Sequence, residues 1–246
     1  LERHAAVVGD LLRDGVLAEG VDGGGLVSRR RRPQRDVNLR GTGATFAIVD
    51  RARGATIGTL DGVRVFSEGH PGAVYLHFGR QYEVAELDLE RRRVVVQAAD
   101  VDYFTAPLSR KETEILEVLE EREVGGLQAA LGRLRITEQV TGFERKRTQG
   151  QEVIDQQPLD LPPTIMECVG LWFRTPGEIA LELTGKGRHL LGSLHAAEHA
   201  TIGLMPLLAL CDRNDLGGIS LAFHPQLDGA GVFVYEGHPG GMGIAK

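Results

Sequence analysis

Lysine is scarce in this 246-residue chain, where 24 of the 28 basic residues are arginine and four are lysine. Cysteine occurs twice, at Cys168 and Cys211, too few for a disulfide framework or for a metal cluster of their own. Their apolar neighbours make buried free thiols the expectation. No apolar run approaches the roughly 18 residues that a membrane-crossing helix needs, which excludes a helical membrane role. The opening residues, LERHAAVVGD, carry charges and a glycine where a secretory signal needs an unbroken apolar core, so a cytoplasmic location is expected. No Gly-x-x-x-x-Gly-Lys-Ser/Thr string occurs. The nearest stretch, LTGKGRH, lacks both the spacing and the hydroxyl, and without a loop to cradle phosphates the chain itself is not expected to hydrolyse ATP.

What is present fits a folded protein: 42% apolar and 25% charged residues, close to the averages for globular domains. A net charge of -6 argues against nucleic acid, but the arginines cluster. They gather at Arg29, Arg30, Arg31, Arg32 and Arg35, then at Arg91–Arg93, then at Arg133, Arg135, Arg145 and Arg147 beside Lys146. A planar guanidinium fork suits phosphate oxygens, so a cluster on one face can hold a nucleic-acid backbone even in an acidic protein. A charge run is also the ordinary make-up of a solvated face, and that reading competes for the second and third clusters.

Along the chain, Ala5, Val8, Leu11, Leu12 and Val16 recur at helical spacing until Gly15 and Gly20 intervene. GVLAEGVDGGGLVSRR then reads as a hairpin turning on Asp22-Gly23-Gly24-Gly25. A helix followed by a β-wing is the end of a winged helix (1–35), and here the wing carries Arg29–Arg32. Residues 36–155 alternate as strands (TFAIVD, ATIGTL, AVYLHF, QYEVAEL, RVVVQAADVDYF), predicting a small β-barrel or curled antiparallel sheet, with one helical turn before His70-Pro71-Gly72. KETEILEVLEERE is helical by propensity, yet GRLRITEQVTGFERKR beside it alternates as a strand, and a long hairpin would override the propensity. QQPLDLPPT excludes helix and central strand and is expected to mark a boundary. The last domain (156–246) should then be α+β, with a strand at GLWFRT, one long buried helical region over 178–212 kinked near Pro206, and a β-hairpin. The fold class is therefore α+β.

That helical region contains His195-Ala-Ala-Glu198-His199. His-x-x-Glu-His resembles the motif of a zinc-peptidase family in which both histidines bind metal and the glutamate is general base. Such a site needs a third protein ligand. Glu236, His189, His224, His238, Asp212 and Asp215 are available, none at a diagnostic spacing. The competing reading is a buried, hydrogen-bonded His-Glu-His network with no metal. GHPGGMG likewise reads either as an anion nest or as a tight strand-to-helix connection.

A wider string of motifs bears on the choice. HAAEHATIGLMPLLALCDRNDLGGIS and GVFVYEGHPGGMGIAK, preceded in order by DVNLRGTG, HPGAVYLHFGRQYEV, DVDYFTAP, ITEQVTGFERKR and PLDLPP, resemble the carboxy-terminal region of the mitomycin-repair type of superfamily 2, DEAD/DEAH-box-like DNA repair helicases. The resemblance implies signature positions at His195, Glu198, His199, Asp212, Arg213, Asp215, Gly217, Gly218, Gly240 and Gly241. It also implies DNA and two RecA-like motor domains as partners, ATP with Mg for the full-length parent, and a four-cysteine zinc cluster beyond the PGGMG turn, before which this chain stops. Glu236 and His238 depart from the family's pattern. No catalytic or metal residue and no cofactor is expected in the chain itself, whose implied role is non-catalytic DNA binding and coupling. The alternative is a stand-alone zinc-dependent hydrolase.

Overall fold

The computed structural model describes residues 5–20, 25–29, 44–62, 64–238 and 243–244. The chain divides into two compact units, 1–40 and 41–246.

In the first unit, α1 (Ala5–Arg13) is followed by β1 (Leu17–Glu19) and β2 (Leu26–Ser28), which pair antiparallel. The helix is shorter than the apolar spacing suggests. Gly15 adopts φ 69 and lets Val16 N–H reach back to the Leu11 carbonyl, the left-handed ending that favours glycine. Arg29 follows β2, its N–H bonded to the Val16 carbonyl at 3.0 Å. The remaining arginines of that cluster, Arg30–Arg32 and Arg35, lie outside the described residues.

The second unit begins with β3 (Thr45–Asp50), β4 (Thr56–Asp61), the single helical turn α2 (Val65–Glu68), β5 (Val74–His77), β6 (Arg80–Asp88) and β7 (Arg93–Ala99). The expected barrel or curled antiparallel sheet is instead a five-stranded sheet in the order β4-β3-β7-β6-β5 with one parallel pair, β3 and β7. The α2 turn and the His70-Pro71-Gly72 corner carry the chain from one edge, β4, to the other, β5. The next two strands run back inward, so β7 meets β3 in the same direction. Phe46, Ile48, Leu60, Val65, Val84, Val94 and Val96 form its core, and β-branched side chains suit such a pleated, one-sided surface.

The stretch of helical propensity is a strand. β8 (Tyr103–Val124) and β9 (Leu127–Arg147) pair from Tyr103↔Arg147 to Val124↔Leu127 around Gly125-Gly126, both at positive φ. A second sheet follows, in the order β10-β9-β11-β13-β12 with β8 on the outer side of β9. It adds β10 (Val153–Pro158), β11 (Thr164–Thr175), β12 (Leu216–His224) and β13 (Gly229–Glu236). GLWFRT is thus the end of a twelve-residue strand. The Pro-rich segment is no domain boundary: β10 and then β11 pair with the same edge of β9. Prolines cannot donate to a ladder, so at the gap Leu159 N–H bonds the Thr141 carbonyl and the Gln139 amide bonds the Leu161 carbonyl.

The expected single long helix is two, α3 (Gly177–Gly185) and α4 (Leu190–Leu208), separated where Gly187 takes φ 67. His189 caps α4, its Nδ1 accepting from Gly192 N–H at 3.0 Å. The helix runs through Pro206 to Leu208, and it is not buried all round. Only Leu194, Glu198 and Ile202 are buried, a stripe at i, i+4, i+8 that packs on Ala230, Val232, Leu216 and Val234 of the sheet. Leu207 and Leu208 are 79% and 87% exposed.

Candidate functional site

The signature residues converge where α4 lies on β12. Helical spacing places His195, Glu198 and His199 within one turn, and their ligand-capable atoms lie within 4.8 Å of one another. Glu198 points into the sheet, its side chain 8% exposed, whereas that of His195 is 60% exposed. Two glycines make the close approach: a Cβ on Gly218 would stand 2.6 Å from the Glu198 Cγ and Oε1, and one on Gly217 would stand 2.5 Å from the Tyr235 ring.

The hydrogen bonds run in one direction. Arg213 Nη2 lies 3.4 Å from His199 Nδ1. A guanidinium only donates, so that nitrogen accepts and the proton of the neutral ring sits on Nε2. His199 Nε2 is 3.1 Å from His195 Nε2, which therefore accepts, leaving the His195 proton on Nδ1. There it faces the Glu198 carboxylate at 3.3 Å and Ser220 Oγ at 3.4 Å. One tautomer of each ring satisfies the whole chain, from an exposed arginine to a buried carboxylate. The network expected from the sequence therefore forms, but with its histidines at the surface.

Asp212 and Asp215 serve the turn that starts β12. Asp212 accepts from Asn214 N–H at 2.8 Å, and Asp215 accepts from Asp212 N–H at 2.9 Å, a reciprocal capping box. Asp215 also meets His238 Nε2 at 3.2 Å. Glu236, fully buried, accepts from Gly243 N–H at 3.0 Å. Among the described residues, none of the six candidate third ligands joins the His195, Glu198, His199 group. Gly240 and Gly241 lie outside the described residues. Ser220 and the His238–Asp215 contact have no signal in the linear pattern, since both depend on which strands the topology brings beside α4.

The third arginine cluster is largely neutralised in place. Arg133 and Arg135 share Glu167 at 3.1 Å each, with Glu117 and Glu114 as further partners. Arg145 pairs with Asp155, Lys146 with Glu144 and Arg147 with Asp102. Arg135, more than Arg133, holds the Glu167 carboxyl below its usual range. In the second cluster Arg91 sits against Asp88 at 3.7 Å. Arg29 is exposed.

Residues 197–246 match the family model of the MrfA zinc-binding domain. The chain is 26% identical over 220 residues to an ATP-dependent helicase, YprA, of Bacillus subtilis, covering 87% of this chain and 29% of the relative. It is 30% identical over 183 residues to the ATP-dependent helicase HRQ1 of Saccharomyces cerevisiae, covering 71% and 16%. The helicase MrfA, solved bound to DNA, superposes with a TM-score of 0.59 at 25% identity, covering 98% of this chain and 32% of that one. The chain is homologous to a portion of the MrfA-type helicases. It spans less than a third of the relatives' length, so the activities of those whole proteins are not thereby its own.

The name of the MrfA domain raises the question of zinc. Its matched range here holds one cysteine, Cys211, whose thiol burial and then Asp215 and Asp212 push up, against the thiolate that zinc needs. Cys168 lies on β11, its thiol pushed up to about 12 by burial and by Glu236. The His-Glu-His group does not fit either. A histidine ligating through Nε2 keeps its proton on Nδ1 and gives it to an acceptor, but His199 Nδ1 faces the Arg213 donor. Among the described residues the His195, Glu198, His199 group alone brings three ligand-capable atoms together, and with His199 Nδ1 turned to Arg213 it is arranged as a hydrogen-bonded network, not as a zinc site.

Proposed function

We propose that this region is a non-catalytic DNA-binding and coupling element of a superfamily 2 DNA repair helicase working in the cytoplasm. In this reading the helix and hairpin of residues 5–29 are the end of a winged helix, and Arg29, Arg30, Arg31, Arg32 and Arg35 hold phosphates. The region around α4 braces two RecA-like motor domains, while ATP, Mg and zinc belong to the full-length parent. The observation that carries the reading is the likeness, over 98% of the chain, to a helicase solved with DNA, in a chain that has no phosphate-cradling loop of its own. Among the described residues no helix is long and apolar enough to cross a membrane. The zinc-hydrolase alternative is not favoured: the relatives are helicases, and the tautomer that Arg213 imposes on His199 leaves that ring ill-suited to a metal.

The test is a salt titration of DNA binding. Affinity should be independent of sequence and fall steeply with salt, and Arg29→Ala with Arg31→Ala should flatten the slope by about one unit per lost contact. An unchanged slope and affinity in the double variant would remove these residues from the interface. DNA-stimulated ATP hydrolysis by the purified chain would contradict the non-catalytic assignment.

A further inference from the structure

The β5–β6 hairpin closes on two residues, Phe78 and Gly79, with His77 paired to Arg80. Both turn residues have positive φ, 46 and 75. Two-residue turns of this hand take Asn-Gly or Gly-Gly, and a bulky side chain at positive φ is an outlier. The two-residue β8–β9 hairpin follows the rule, turning on Gly125-Gly126 at φ 58 and 82; Arg92, Gln151 and Asp228 also take positive φ, but Phe78 is the one aromatic among them. At the β5–β6 tip a phenylalanine stands instead, its side chain burying almost nothing, 95% exposed. Strain held while the ring stays exposed points to a contact made outside the fold.

The surroundings indicate the partner. The His77 ring meets Phe78 edge-on at 4.4 Å and stacks on Tyr75 at 5.9 Å, so the tip is backed by aromatic rings. Arg80 follows the turn, exposed and with no ion-pair partner among the described residues. Arg80 and Arg53 line the cleft beside the turn together with Leu76, Gln81 and Asp100. The other carboxylate of that cleft, Asp50, is buried, binding Ala52 N–H at 2.9 Å and facing Arg53 at 3.8 Å. A projecting ring with an arginine, Arg80, unpaired among the described residues two positions away and Arg53 in the adjoining cleft, the latter facing Asp50, offers an unstacked base a face and its phosphates a cation. A protein partner would call for a broader apolar patch than Phe78 and the exposed Leu76 provide.

We infer that the Phe78 tip is a stacking platform for a nucleobase of single-stranded DNA, with Arg80 and Arg53 placed for the adjoining phosphates. This rests on the DNA-binding reading above and adds a second contact of a different physical kind. Phe78→Asn separates the two. Asparagine suits the turn, so the variant should melt at or above the temperature of the parent chain. Its affinity for a single-stranded oligonucleotide should fall about tenfold, the worth of one stacked base, with the salt slope unchanged. Phe78→Trp should retain affinity and show fluorescence quenched on addition of the strand. Wild-type affinity in Phe78→Asn, in a chain whose binding is salt-dependent, would overturn the stacking platform, leave the tip to a protein contact and keep the DNA reading. A wild-type chain that binds no DNA would overturn both.

Discussion

Two histidine sites in the same unit are built in opposite ways. His70, in the corner before β5, is fully buried against Phe143 of β9, with ring centroids 4.6 Å apart. Its Nδ1–H donates to the Pro71 carbonyl at 3.0 Å, while its Nε2 has no hydrogen-bond partner among the described residues. His195 and His199 are exposed, yet each ring nitrogen faces a partner in the chain from Arg213 to Glu198. The first leaves the acceptor nitrogen of a neutral ring unpaired in an apolar corner, a smaller cost than burying an unpaired charge. The second holds a buried carboxylate whose hydrogen-bond partners reach solvent. Burial alone therefore says little about what a histidine does here. The partners of its nitrogens decide.

The largest expected effects break the packing under the second site. Gly218→Val would drive a side chain into Glu198 and Ile202, which already lie within 2.8 Å of a Cβ at that position; a loss of about 3 kcal/mol in urea unfolding is expected. Ile202→Ala should cost a similar amount, roughly 2–4 kcal/mol, by leaving a cavity over Leu216 and Val234. Glu198→Gln should cost about 1 kcal/mol, as an amide replaces the buried carboxylate that accepts from the exposed His195. If Glu198→Gln leaves the unfolding midpoint unchanged, the carboxylate end of the chain contributes nothing.

The first site should respond to pH instead. Burial lowers the His70 pKa below its usual 6.5, against a smaller opposing effect of the Pro71 carbonyl. The folded chain therefore refuses a proton that the unfolded chain accepts, and stability is complete above pH 6.5 and declines as pH falls below it. Urea midpoints at pH 7 and pH 5 should separate in the parent chain and draw together in His70→Gln. An equal pH dependence in both would show that His70 does not titrate against the fold. The smallest effect belongs to the exposed face of α4: Leu207→Gln should shift stability by no more than about 0.5 kcal/mol, in contrast with Ile202→Ala on the buried face of the same helix.

That last contrast marks where the sequence was legible and where it was not. The clustering of His195, Glu198 and His199 follows from helical spacing alone and could be read directly. The one-sided burial of α4 could not: the apolar residues surround the helix, and only the glycines on β12 define the face that docks. The β8–β9 hairpin was readable from the alternation of Leu134, Ile136 and Val140 on β9, whose two ladders outweigh the helical propensity of β8. The Pro-rich segment looked like a boundary because proline breaks a ladder, yet it follows the edge of β9 with one backbone and one side-chain bond. The pairing of Arg133, Arg135 and Arg145 with carboxylates from other strands was invisible in a linear count of charge. The parallel β3–β7 pair was equally hidden, since alternation gives strands but not their order.

The contest between a brace in a DNA-binding region and a zinc hydrolase is settled most directly by the metal content of the purified chain, followed with chelator. A brace holding no metal should purify with clearly less than one zinc per molecule and keep its melting temperature in chelator. Stoichiometric zinc that disappears in His195→Ala would contradict it, and would make Glu198 a candidate general base in place of a structural acceptor.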